Sequence, residues 1–68
     1  DVQTLSSLIS RLPLVQQEIV HLRFYEELSF KEIAQVTNVS INTALGRMRY
    51  ATLNLRKMIM ENALDLAV

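Results

Sequence analysis

Basic side chains are concentrated in one part of this 68-residue sequence. Residues 33–60 contain Arg47, Arg49, Arg56 and Lys57 and no acidic residue, although the whole chain has a net charge of zero. The segments before and after carry an excess of acidic side chains. Such segregation creates a local positive field that suits phosphate groups, although scattered arginines on a solvated helix face would give the same composition.

Side chains that could support enzyme chemistry are few. His21 is the single histidine and has no second ligand residue at metal spacing, and the absence of cysteine removes thiolate zinc sites and a thiol nucleophile. Glu26 and Glu27 are neighbours that point in different directions at a helix end, which favours a solvated acidic corner over a catalytic carboxylate pair. The sequence therefore predicts a protein that is not an enzyme and that has no cofactor or metal.

The elements that position the basic residues are predicted to be helices. Glycine and proline occur once each, at Gly46 and Pro13, and this scarcity of turn formers disfavours β-sandwiches and barrels. A first helix is expected from an Asp1 N-cap to about Arg11, and a second from Pro13 to about Tyr25. The apolar residues at helical spacing in this half are Leu5, Leu8, Ile9, Leu12, Val15, Ile19 and Leu22. Core or hinge packing is the expected role of Phe24, Tyr25 and Phe30.

The second half of the chain has the layout of a helix-turn-helix. Ser29 and Glu32 predict a capping box for a third helix over residues 30 to about 37, and Asn38 suits a left-handed stop. Ser40 then caps a fourth helix of roughly 18–20 residues. In this layout the last helix lies in the major groove of DNA; an ordinary helical hairpin in a small bundle is the alternative. The fold class is thus all-α, a four-helix domain without a wing and with a long C-terminal recognition helix.

The fourth helix is expected to have distinct inner and outer faces. Its inward residues are predicted to be Ile41, Ala44, Met48, Ala51 and Leu55. Contacts to DNA bases are predicted for Asn42, Leu45, Gly46, Arg49 and Tyr50, and contacts to the DNA backbone for Lys31, Ser40, Thr43 and Arg47. Arg49 is the best candidate for a base contact because a guanidinium can donate two parallel hydrogen bonds to guanine.

These residues resemble region four of the bacterial sigma-seventy family, most closely its extracytoplasmic-function group. The resemblance rests on Leu12-Pro13, on YxxLSFKEIA from Tyr25, on VSxxTxxxRxRxA from Val39, and on the continuation to Arg56. It implies the carboxy-terminal domain of a sigma factor, which binds the minus-thirty-five promoter element and docks on the β-subunit flap of RNA polymerase. Similar sequences often carry Lys or Arg and then Ser where this chain has Leu45 and Gly46, so the recognised sequence is expected to differ.

The resemblance also implies a partner surface formed by the early helices. We expect it to include Leu5, Leu8, Val15 and Ile19, and to accept the flap or an anti-sigma protein. The apolar tail, with Met60, Leu64, Leu66 and Val68, suits either packing on the body or a homodimer of the isolated domain.

Length and composition indicate the number of domains and the location of the protein. The chain corresponds to one DNA-binding domain over residues 1–68, excised from a longer protein, since it begins at Asp1. No membrane segment is predicted and a cytoplasmic location fits. Two alternatives to promoter reading stay open: a helical protein-interaction domain, and a response-regulator output domain.

Overall fold

Four helices arranged in chain order form the structure, a computed structural model that describes the backbone of residues 2–67 and the side chains of residues 5–62. The helices are α1 (Val2–Ser10), α2 (Leu14–Val20), α3 (Phe30–Thr37) and α4 (Ile41–Ala67), and α2 continues directly into a π-helical turn, the π segment (His21–Tyr25). No strand occurs in the described backbone. The predicted all-α fold with a helix-turn-helix is confirmed.

The first two helices are joined by a short turn that Gln17 closes. Its side-chain amide donates to the carbonyl oxygens of Ser10 (3.0 Å) and Leu12 (2.7 Å), so the end of α1 is tied to α2. Pro13 precedes α2 as its N-cap, with φ −53° and ψ 150°, one residue outside the helix that was predicted to include it. The predicted N-cap at Asp1 lies outside the described residues.

The π segment was not predicted from the apolar spacing. The Glu26 N–H donates to the carbonyl oxygen of His21 (3.1 Å), five residues back, and the extra residue in this turn rotates the side chains that follow. Phe24 and Tyr25 are consequently 64% and 62% exposed, so core packing is wrong for both. The chain then turns at Glu27, whose φ is 57°.

Local hydrogen bonds fix both ends of α3, as the sequence predicts. The Ser29 hydroxyl accepts from the Glu32 N–H (3.1 Å), and Glu32 Oε1 accepts from the Ser29 N–H (2.9 Å), completing the capping box. Asn38 ends the helix in the left-handed region, with φ 57° and ψ 46°. The turn into α4 is therefore short and defined.

The core lies where α4 crosses the other three helices. Ile33, Ala44 and Ala51 are fully inaccessible, and the small residues on α4 allow close approach of its neighbours. The remaining buried members are Leu8, Leu12, Ile19, Val20 and Ala34, with Met48 and Leu55 packed against them. Ile41 was expected to join the inward face but is 46% exposed, because it lies at the edge of the inward arc, about 60° around the helix from Ala44.

The last helix is longer than predicted. It spans 27 residues rather than roughly 18–20, since no proline or further glycine interrupts the sequence after Gly46. Leu64, Leu66 and Val68, for which tail packing or dimer formation was expected, have side chains outside the described residues. Over the described part of the chain, none of the helices has the length and apolar character that a membrane crossing requires.

Candidate nucleic-acid interface

The turn between α3 and α4 sets the direction of the candidate DNA-reading helix. The Val39 N–H donates to the Ala34 carbonyl oxygen (3.0 Å), so the turn folds back on α3. Ser40 Oγ accepts from the Thr43 N–H (3.0 Å) and pairs with Thr43 Oγ1 (3.0 Å). The predicted N-cap at Ser40 is confirmed, and Ile41, Asn42 and Thr43 in the first turn of α4 are exposed residues.

The outer face of α4 is open to solvent, as DNA reading requires. Asn42 and Arg49 are exposed, Leu45 is 43% exposed and Tyr50 is 63% exposed. Gly46 is half-buried between them. The five residues for which base contacts are predicted therefore lie together on the side of α4 that faces away from the core.

The residues predicted to contact the DNA backbone flank this face. Ser40 and Thr43 are exposed at the start of α4, Arg47 is half-buried at its side, and Lys31 is exposed at the start of α3. Among residues 5–62, the one contact within 4 Å between a basic side chain and a carboxylate joins His21 Nε2 and Glu26 Oε1 (3.3 Å), at the π segment. The described cations of α3 and α4 therefore keep their charge available to phosphate groups.

A groove runs along the outer face of α4 beside the start of α3. Its volume is about 450 Å³, and it is lined by Phe30, Leu45, Met48, Arg49, Thr52, Leu53 and Arg56. The Arg23 guanidinium lies over the Phe30 ring (5.2 Å to the centroid) and donates to the Leu28 carbonyl oxygen (3.1 Å). These two contacts join the π segment to the loop before α3 and to Phe30 in the wall of the groove. Arg56 lines this groove together with Arg49, which the sequence analysis did not predict.

A second, apolar groove lies on another side of the domain, between α1, the end of α2, the π segment and α4. It has a volume of about 360 Å³ and is lined by Leu5, Ile9, Val20, Phe24, Tyr25 and Leu55. Phe24 and Tyr25 were missed as surface residues because only the extra residue of the π segment turns them outward. The His21 ring stacks on the Tyr25 ring (centroids 5.5 Å apart), and this contact orients the Tyr25 side chain.

The predicted partner surface is corrected in part. Leu5 and Val15 are 45% and 49% exposed and can meet a partner. Leu8 and Ile19 are only 5% and 3% exposed, because their side chains fill the core between α1, α2 and α4. They cannot form a docking surface while the domain is folded as it is.

The sequence matches the family described as Sigma-70, region 4, over residues 3–48. The chain belongs to this family. The match covers more than half of the chain, begins at the second residue of α1, and ends at Met48, so Arg49 and Tyr50 lie just beyond it. Comparisons with curated proteins and with solved structures found no match.

Family membership settles the general role of the domain. It is a DNA-binding, non-enzymatic domain of the sigma-factor type that serves promoter recognition in transcription, and its general partners are DNA and RNA polymerase. The helix-turn-helix geometry agrees with this role, because the outer face of α4 is exposed and free of acidic side chains between residues 33 and 60.

Proposed function

We propose that the amino-terminal half of α4 reads the minus-thirty-five promoter element in the major groove. The observation that carries the proposal is the exposure of Asn42, Leu45 and Arg49 on one outward face, directly after a capped turn. Side chains on such a face can reach base edges, while Ser40 and Thr43 at the helix start are suited to a phosphate. A role at promoter DNA also places the expected site of action in the cytoplasm.

Selection of duplexes from a random library tests this proposal. The full chain, alone and then with RNA polymerase core, should enrich duplexes that share one short sequence. That sequence should occur upstream of transcription start sites. Binding should weaken with salt by about 0.9 log units per log unit of salt for each phosphate neutralised. Enrichment of no common sequence by either form would contradict the proposal.

We further propose that the apolar groove receives the tip of the polymerase β flap. Its lining is apolar, and the exposed Phe24 and Tyr25 supply aromatic area of the kind that dominates protein interfaces. Leu55, which lines this groove, lies about 120° around α4 from Arg49, so DNA and polymerase can bind at the same time. An anti-sigma protein would compete for the groove.

A comparison of Phe24→Ala with Leu14→Ala tests the docking site. Both side chains are well exposed, at 64% and 80%, but only Phe24 lines the groove. Phe24→Ala should weaken binding to the polymerase core about tenfold or more and leave the DNA preference of the isolated chain unchanged. Leu14→Ala should alter neither, and equal losses from both variants would argue against the groove as the docking site.

A further inference from the structure

Gly46 occupies the centre of the outer face of α4 without any structural need for glycine. It lies about 200° around the helix from Ala44, opposite the core. A Cβ atom placed on it would meet no described heavy atom within 4 Å, leaving aside its chain neighbours and the adjacent backbone of its own helix. Its φ is not positive, so an L-residue fits the backbone.

Local stability would favour almost any other residue at this position. Glycine is the least favourable residue in a helix interior apart from proline, because it loses the most backbone freedom on folding. Neither packing nor backbone conformation within the described chain explains its presence. The missing side chain therefore points to a group that approaches α4 from outside.

The surroundings of Gly46 define the chemistry of that group. Asn42 lies one helical turn before Gly46 and Tyr50 one turn after it on the same face, and both are exposed, while the exposed Leu45 lies about 100° around the helix. The backbone groups of Gly46 are used within the helix, so the position offers no free donor or acceptor. A polar base edge placed there would lose its hydrogen bonds to water without gaining new ones, whereas an apolar group has no hydrogen bonds to lose.

Resting on the proposed reading of DNA by α4, we infer that Gly46 determines specificity by leaving a recess for the C5-methyl group of one thymine. The thymine methyl is the one apolar group that base pairs present in the major groove. The gap that Gly46 leaves between Asn42 and Tyr50 admits the methyl against the bare backbone. Any Cβ at position 46 would occupy the same volume.

The test combines Gly46→Ala with removal of single methyl groups from DNA. The duplex selected by the full chain is remade with each thymine replaced in turn by deoxyuridine, which lacks only the methyl. At one position the unmodified chain should bind about fourfold more weakly, the effect of one buried methyl group. Gly46→Ala should bind the thymine duplex about tenfold more weakly, and deoxyuridine at that same position should restore rather than reduce its affinity.

Ile59→Ala is the matched control, because Ile59 is a half-exposed residue of α4 outside both grooves. It should leave DNA affinity unchanged, and Gly46→Ala should unfold at the same or a higher temperature than the parent. A lower unfolding temperature for Gly46→Ala, a flat deoxyuridine scan, or unaltered binding by Gly46→Ala would each overturn the inference while promoter reading stands. If the parent chain selects no duplex, the proposed reading of promoter DNA by α4 is wrong. That result differs from the three above, in which the parent still selects a duplex.

Discussion

At the residue scale, the two neighbouring arginines of α4 differ in position and therefore in expected role. Arg49 is exposed on the outer face and lines the groove beside α3, whereas Arg47 is half-buried on the flank. A guanidinium on the outer face can reach base edges in the groove, while one on the flank meets the sugar-phosphate backbone. The spacing of the two residues predicts these different roles. The structure agrees on their positions, because Arg49 is exposed and Arg47 is half-buried.

Replacement of each arginine by alanine should separate these roles. Arg49→Ala should reduce discrimination between the selected duplex and random duplexes by about 5- to 150-fold, since one bidentate contact is worth about 1–3 kcal/mol. Arg47→Ala should weaken binding to all duplexes alike and lower the salt slope by about 0.9. Titrations at several salt concentrations measure both quantities. Lys57→Ala, an exposed cation farther along α4, is the control for loss of charge alone.

Ile33 is the largest side chain with no accessible surface, at the point where α3 packs against α4. Ile33→Val should lower the free energy of unfolding by about 0.5–1.5 kcal/mol through the loss of one buried methylene. Val36→Ala on the same helix removes a side chain that is 65% exposed and should change stability by less than about 0.5 kcal/mol. Denaturant unfolding measures both, and a larger effect at Val36 would mean that the core is placed wrongly.

At the element scale, α3 depends on its capping box. The Ser29 backbone N–H donates to the Glu32 carboxylate, and the Ser29 side chain adds a second hydrogen bond; together they lower the pKa of Glu32 below its usual 4.5. Because the folded state holds the charged form, this contribution to stability is present above about pH 4.5 and is lost as the pH falls through the lower folded value.

Glu32→Gln isolates that titration, because glutamine can complete a capping box but does not ionise. The parent should lose stability on acidification below about pH 4.5, and the variant should lose less over the same range. Thermal unfolding from pH 7 to pH 3 measures the difference. Identical pH profiles for parent and variant would show that the Glu32 charge contributes nothing to the cap.

At the scale of the whole molecule, a hydrogen bond between two described side chains links α2 to α4. Asn54 Nδ2 donates to Gln16 Oε1 (2.7 Å) across 38 residues of sequence, in a part-buried position between α2 and α4. The pair fixes the rotation of α4 against α2, and hence the direction of its outer face. Apolar contacts around it are less directional.

A double-mutant cycle on Gln16 and Asn54 measures this link. Each alanine variant should lower the free energy of unfolding by about 1 kcal/mol, and the double variant should lose less than the sum by about 0.5–1.5 kcal/mol. Additive losses would mean that the two side chains stabilise the domain separately. Gln35→Ala, an exposed amide on α3, is the control for truncating a surface glutamine.

The sequence alone was sufficient for features that depend on neighbouring residues. The capping box of α3, the left-handed stop at Asn38 and the N-cap at Ser40 each rest on hydrogen bonds within four residues. The acid-free segment and its family motifs are likewise visible without coordinates. Such features are local, so residue type and spacing determine them.

Tertiary structure decided which apolar residues are surface and which are core. Helical spacing placed Leu8, Ile19 and Ile41 on apolar stripes, but exposure depends on which neighbouring helix covers each part of a stripe. The π segment turned Phe24 outward through one extra residue that apolar periodicity does not register. The apolar groove exists only where α1, the end of α2, this segment and α4 meet, because a surface shared by four elements is a property of their packing and not of any one of them.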